Sequence, residues 1–218
     1  QKIVEEGPAP NLPAGLAVRM GEAAVKGALA VGYTGVGTFE FLVDDTGAAY
    51  FMEINCRIQV EHPVTEMVTG VDLVREQLLA AAGQPLELTQ DDVRRASRGV
   101  AIECRINAED PARNFRPAPG TVTHVEFPGG PFTRVDSHCR PGMRIVPEYD
   151  PLLAKLICWA PERGQALARM DRALSECQLI GRGVQTNRDF LREVLAEDCF
   201  QAGQHSTGLV DQLRSRAR

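Results

Sequence analysis

Tyr50-Phe51-Met52-Glu53-Ile54-Asn55-Cys56-Arg57-Ile58-Gln59-Val60-Glu61-His62-Pro63 is the stretch on which the reading of this chain turns. Glu53, Asn55, Arg57, Gln59 and Glu61 are the odd positions; Met52, Ile54, Cys56, Ile58 and Val60 are the even ones between them. An extended backbone sends alternate side chains to opposite faces. One face is therefore expected to be oily, and the other to carry two carboxylates, two amides and a guanidinium. Alternation alone fits a half-buried strand with a solvated face. The polar set lacks Lys, Ser and Thr and mixes acid, base and amide, which fits a site for a metal ion and an oxyanion. The strand is expected to give way to a turn or loop before Glu61.

The totals frame that reading. A chain of 218 residues suggests one or two domains with ample core. Hydrophobic residues at 44% and charged residues at 24% are ordinary for a globular protein. A formal net charge of -5 argues against nucleic acid as the main partner. No apolar run is long enough to span a membrane, and the start has no signal-peptide core. Six scattered cysteines without a C-x-x-C pair read as small buried hydrophobes in a reducing cytosol, so a cytoplasmic location is expected. The four histidines have no metal-ligand spacing. The first residue is Gln, and a piece of a longer chain is expected.

Working outward, residues 5–13 read as a connector, because Pro8, Pro10 and Pro13 exclude a helix interior. Lys2, just before it, reads alone as a surface lysine. Residues 14–31 predict a helix closed by Gly32 and Gly35. Residues 37–43 predict a strand, Asp44 to Gly47 a hairpin turn, and residues 48–55 the return strand. Two antiparallel strands so joined bring Glu40 and Glu53 together. Acids inside aromatic and aliphatic strand sequence are costly to bury unpaired, so a shared cation is expected, with Mg²⁺ the natural candidate. An exposed acidic face is the plainer alternative. Residues 64–70 read as a loop, 71–82 as a helix, and the polar stretch 84–98 as a boundary between units.

Strand 99–107 alternates again, with Glu103, Arg105 and Asn107 on its polar side. Arg105 reads as a surface charge or as a second guanidinium for the same site. Residues 110–120 read as a long loop. Short strands are predicted at 121–127, 132–138 and 143–147, and a more apolar one at 152–159. Helices are predicted at 162–178, 188–196 and 208–216, with Thr186-Asn187 as an N-cap start. The class is α+β, an antiparallel sheet with covering helices. No Walker A loop, dinucleotide-binding loop or nucleophile elbow is present.

The run 52–66 closely resembles the signature of biotin carboxylases. So do Gln1-Lys2 with Glu5-Glu6 and Pro8-Ala9-Pro10, Gly37-Thr38-Phe39-Glu40-Phe41, the stretch 103–111 and the stretch 149–156. Only the last ten or so residues are weak. The resemblance implies residues 1–98 as the C-terminal part of an ATP-grasp domain and 99–218 as the biotin carboxylase C-terminal domain. It implies ATP- and bicarbonate-dependent carboxylation of biotin on a carrier protein, through carboxyphosphate, within an acyl-CoA or pyruvate carboxylase. Glu40 and Glu53 would hold Mg²⁺ or Mn²⁺, two ions in all, against the ATP phosphates, with Asn55 assisting and Leu42 against the adenine. Lys2, Arg57, Gln59 and the backbone N–H of Val60 would hold bicarbonate, and Glu61 would be its general base. Arg105 would stabilise the enolate-like oxygen of biotin. The implied partners are a biotin carboxyl carrier, a carboxyltransferase and a second copy, the last through the C-terminal domain near Phe132-Thr133-Arg134. Cys56 stands where the family more often has Thr. The family's N-terminal domain and glycine-rich ATP lid are not among these residues, so the isolated chain is expected to lack bicarbonate-dependent ATPase activity. Two other readings stay open: another ATP-grasp ligase, such as a carbamoyl-phosphate synthetase, and a non-catalytic assembly or regulatory module.

Overall fold

The structure is a computed structural model and describes residues 2–216. In chain order its first elements are β1 (Val4–Gly7), α1 (Leu16–Ala30), β2 (Thr38–Val43), β3 (Ala49–Asn55), α2 (His62–Thr69), α3 (Leu73–Ala81) and α4 (Gln90–Ala96). There follow β4 (Val100–Asn107), β5 (Glu109–Asp110), β6 (Arg116–Pro117), β7 (Gly120–Glu126), β8 (Thr133–Ser137), β9 (Arg144–Ile145) and β10 (Leu152–Ala160). The chain closes with α5 (Arg163–Glu176), β11 (Gln178–Arg182), α6 (Arg188–Ala196), α7 (Asp198–Gln201) and α8 (Leu209–Arg216). The mixture of antiparallel sheets and helices is the α+β class. Two compact units result: Ala9–Arg98, and residues 2–8 together with 99–216.

In the unit Ala9–Arg98, β2 and β3 form an antiparallel hairpin. Asp44 makes the turn: its carboxylate accepts from the backbone N–H of Thr46 and of Ala48, each at 2.9 Å. The Thr46 hydroxyl and these amides hold the Asp44 carboxyl below its ordinary value. Gly47, at φ 80°, takes the left-handed position that a side chain would strain. The hairpin is not regular. Glu40 pairs with Glu53 but Phe41 pairs with Phe51, so Met52 is an extra residue on β3. Such a bulge breaks the two-residue period, and strict alternation fails upstream of Glu53. The even face is also not buried as expected: Met52 is 52% exposed and Ile54 40%.

Residues 64–70, expected as a loop, are mostly helix α2. Pro63 is tolerated because it lies in the first turn, where no N–H is required of it, and Gly70 closes the helix in the left-handed conformation. Asp72 caps α3 through the Arg75 N–H at 2.8 Å. The polar stretch 84–98 contains α4, opened by a reciprocal capping box of Thr89 and Asp92.

In the other unit, β1, β4, β10 and β8 form a four-stranded antiparallel sheet in that order. Its first strand overlaps the start of the stretch read as a connector. Val4 to Gly7 precede the first proline and pair with Cys104 to Ala101, so the proline argument did not reach them. On one face Ile102, Cys104, Ile106, Leu156 and Cys158 are buried against Ala166, Met170, Ala173 and Leu174 of α5 and Leu191 and Val194 of α6. The helical residues recur at three- and four-residue spacing, which gives each helix one apolar stripe. The opposite face carries Glu103, fully buried, with Arg105 beside it. A three-stranded sheet, β11-β7-β9, closes over a smaller core of Ala108, Val122, Ile145 and Leu153.

Asn187 corrects another expectation. It stands at the N-cap of α6, but its side chain makes no cap hydrogen bond. Fully buried, it accepts from the backbone N–H of Asn107 at 2.8 Å and donates to the carbonyl of Arg105 at 3.0 Å. Two backbone groups of β4 are thus satisfied by one side chain 80 residues away in sequence.

Candidate functional site

The acid pair is assembled by strand register alone. Glu40 and Glu53 are direct cross-strand neighbours on β2 and β3. Neither is buried: Glu40 is half-buried and Glu53 exposed. The expectation of a shared cation therefore rests on like-charge opposition rather than on the cost of burial. The Asn55 Nδ2 amide donates to Glu40 Oε1 at 3.1 Å and to Glu53 Oε1 at 3.0 Å. Two carboxylates and an amide oxygen are hard oxygen donors of the kind Mg²⁺ takes. Among the described residues no group of three or more His, Cys, Asp or Glu side chains converges as a metal cluster.

The row continues beyond the strand. Arg57 Nη2 donates to Asn55 Oδ1 at 3.4 Å, and Arg57 Nη1 donates to Gln59 Oε1 at 3.2 Å. Glu40, Glu53, Asn55, Arg57 and Gln59 are thereby joined through one amide and one guanidinium. Arg57 also lines a cleft with Tyr33, Cys56 and Gln77. Gln59 is buried, and its Nε2 makes no hydrogen bond among the described residues. The expected turn is present: β3 ends at Asn55, and a turn at Val60 and Glu61 leads into α2. The Gln59 carbonyl accepts from the His62 N–H at 3.3 Å and meets His62 Nδ1 at 2.8 Å. Val60 and Glu61 are half-buried, and the Glu61 side chain does not cap α2. Leu42, two residues beyond Glu40 on β2, is exposed.

Arg105 and Lys2 belong to the other unit. Arg105 Nη2 meets Glu5 Oε1 at 2.5 Å. Lys2 is exposed just ahead of β1. On β8, Arg134 donates to both oxygens of Asp136, at 2.8 and 2.9 Å, and Lys155 Nζ lies 3.4 Å from the same carboxylate. Burial pulls the Asp136 carboxyl up, but Arg134 and Lys155 outweigh it and leave it below its ordinary value. Phe132 packs on Trp159 with ring centroids 4.9 Å apart.

A family model described as the biotin carboxylase C-terminal domain matches residues 103–212. The chain belongs to the biotin carboxylase family. A second model, the carbamoyl-phosphate synthase L chain ATP-binding domain, matches residues 1–89. The chain is 52% identical to a biotin carboxylase of Nostoc sp. over 213 residues, 98% of this chain and 47% of that protein. It is 49% identical to biotin carboxylase 1 of Bacillus subtilis, over 97% of this chain and 46% of that one. Among solved structures it matches the biotin carboxylase domain dimer of the Hydrogenobacter thermophilus 2-oxoglutarate carboxylase. That structure holds MgADP, ADP and bicarbonate; the TM-score is 0.93 and the identity 42%, over 97% of this chain and 46% of that chain. The chain spans about half the length of the biotin carboxylases it matches.

Two site features escaped the sequence reading. Glu5 falls in the stretch read as a connector, although the prolines behind that reading all lie beyond Gly7, where β1 ends. Asn187 was read by its local capping habit. A buried bond across 80 residues leaves no local signal.

Proposed function

We propose that this chain carries metal-, phosphate- and bicarbonate-binding groups and the biotin-activating arginine of a biotin carboxylase. The whole enzyme would carboxylate biotin at the expense of ATP, with residues 1–98 of this chain as the C-terminal part of its ATP-grasp domain and 99–218 as its C-terminal domain. The observation that carries this is the unbroken polar row from the Glu40–Glu53 pair through Asn55 and Arg57 to Gln59. A cation-binding end passes directly into an anion-binding end, which suits a reaction between a metal-bound nucleotide and a small oxyanion.

Glu40 and Glu53, with Asn55, would hold Mg²⁺ or Mn²⁺; the ions would neutralise charge on the nucleotide's phosphates. Leu42 would offer an apolar surface to the adenine. The planar guanidinium of Arg57 matches bicarbonate as a fork. The buried Gln59 Nε2, with no hydrogen bond among the described residues, is a donor suited to the same anion. Lys2 and the Val60 backbone N–H are the other groups proposed for it. Glu61 would take the bicarbonate proton, because the anion is a poor nucleophile until deprotonated. Attack on the γ-phosphorus would give carboxyphosphate and ADP. Carboxyphosphate would release CO₂ and phosphate, and phosphate would take the N1 proton of biotin. Arg105 would meet the oxyanion that develops on the ureido ring. The proposed partners are a biotinylated carrier, a carboxyltransferase and a second copy, with the acyl-CoA or keto acid set by the carboxyltransferase.

Arg57→Ala and Glu61→Ala in the full-length carboxylase test this reading. Bicarbonate-dependent ATP cleavage should fall on the order of 10²-fold or more. Turnover near wild type would refute the assignment. Arg105→Ala should reduce biotin carboxylation more than ATP cleavage.

A further inference from the structure

Arg105 stands on the face of the four-stranded sheet opposite the one packed by α5 and α6. Its direct cross-strand neighbour on β10 is Lys155, and like charges placed directly opposite repel. Acids bracket the two cations. Glu5 Oε1 lies 2.5 Å from Arg105 Nη2, and Asp136 Oδ2 lies 3.4 Å from Lys155 Nζ. The Glu5 side chain is only 12% exposed and that of Arg105 16%. In so shielded a place an ion pair is directional, and loss of one member leaves the other strained electrostatically.

The strand that brings Glu5 is itself fastened. Strand alternation sends Glu6 to the other face, where it accepts from Arg163 Nε at 2.8 Å and from Nη2 at 3.1 Å. Arg163 also donates to the carbonyls of Gln201 and Phe200, at 2.6 and 2.7 Å. The Arg105 main chain is fixed separately, by the Arg105 N–H to the Ile3 carbonyl at 3.0 Å and by the Asn187 amide. With the backbone set, the direction of the guanidinium depends on what grips its tip.

We infer that Glu5 is a positioning residue for Arg105: its carboxylate, presented by the edge strand β1, orients the guanidinium that meets the biotin oxyanion. The inference rests on the proposed role of Arg105. It assigns Glu5 no contact with substrate and no proton transfer.

The test uses the full-length carboxylase with Glu5→Gln, Glu5→Asp and Arg105→Ala, assayed for biotin carboxylation and for bicarbonate-dependent ATP cleavage. Glu5→Gln keeps the shape and removes the charge. It should lower kcat/KM for biotin by about 10-fold, mainly through kcat, since the misplaced guanidinium serves an oxyanion that develops only in the transition state. ATP cleavage should stay within about twofold. Glu5→Asp keeps the charge and should lie between wild type and Glu5→Gln, which a merely structural loss tracking the melting temperature would not produce. Wild-type biotin kinetics in Glu5→Gln, or equal losses in both reactions, would overturn the inference. If Arg105→Ala itself leaves biotin carboxylation intact, the Arg105 role fails first and the inference with it. Should Glu5→Gln melt far below wild type, Glu5→Asp decides: a lowered kcat for biotin carboxylation with ATP cleavage unchanged supports the inference, and an unchanged kcat overturns it.

Discussion

Glu40 and Glu53 oppose each other directly across the β2–β3 hairpin, held side by side by strand register and bridged by the Asn55 amide. Without a cation the pair is a local electrostatic penalty. A ligand that binds only the folded state raises stability with the logarithm of its concentration. The melting temperature should therefore climb with added Mg²⁺ in the wild-type protein and stay flat in Glu40→Gln and Glu53→Gln. In EDTA, Glu53→Gln should melt no lower than wild type. A Mg²⁺-dependent rise that survives both substitutions would place the cation elsewhere.

Asn187 satisfies an N–H and a carbonyl of β4 with one buried side chain. Asn187→Ala should cost on the order of 3 kcal/mol, since each buried group left unpaired costs about 1–3 kcal/mol. Asn187→Asp keeps the acceptor but sets a buried carboxylate oxygen against the Arg105 carbonyl, and should cost at least as much. Urea unfolding midpoints check both.

His205 stacks on Phe200 with ring centroids 4.3 Å apart and faces Glu6 Oε1 at 3.9 Å. Burial lowers its pKa; Glu6 opposes that and Arg163 adds to it, with a net lowering. The unfolded chain then binds the proton more tightly than the folded one. The stability that His205 contributes is present above its unfolded value of about 6.5 and is lost as pH falls through its lower folded value. The urea midpoint should drop on acidification below that point, and less steeply in His205→Gln. Parallel curves for the two proteins would count against the effect.

Arg163 holds Glu6, whose side chain is only 8% exposed. Arg163→Ala should cost about 3–5 kcal/mol, because a shielded carboxylate would lose its counter-charge. Arg163→Lys should restore only part, since one ammonium does not replace the two-pronged contact. Equilibrium urea unfolding reads both losses.

The thiols should separate by reactivity. Cys56 is exposed. Burial pushes the Cys158 and Cys177 thiols up to about 11, and Cys104 well above its ordinary value. Timed alkylation followed by mass spectrometry should label Cys56 first and these three only on unfolding.

Much of the site was legible because it is local. Glu40 and Glu53 follow from a hairpin whose turn residues, Asp44 to Gly47, declare themselves, and Asn55, Arg57 and Gln59 follow within six residues of Glu53. Illegible features depended on distance or on a broken period. The Met52 bulge is invisible to a two-residue pattern. Helix α2 has only 8 residues in which to show a period, and its Pro63 sits harmlessly in the first turn. Strand β11, with Gly181 pressed close to the Thr121 backbone, lacks the apolar run that marked β10. Glu5 and Asn187 act on β4 from opposite ends of the sequence, so neither is read from its neighbours.

The pairing of β1 with β4 has a consequence for the order of events during synthesis. Gly7 and Ala101 are adjacent partners in the ladder, yet the whole unit Ala9–Arg98 is made between them. The ribosome delivers the edge strand first, and its mate only after the intervening unit has emerged. Glu5 therefore cannot reach Arg105 until that detour is complete, although β4 is made before β8 and β10, the sheet's other two strands. Variants that slow the closure should accumulate as chains in which β1 is unpaired and residues 2–8 are open to proteases.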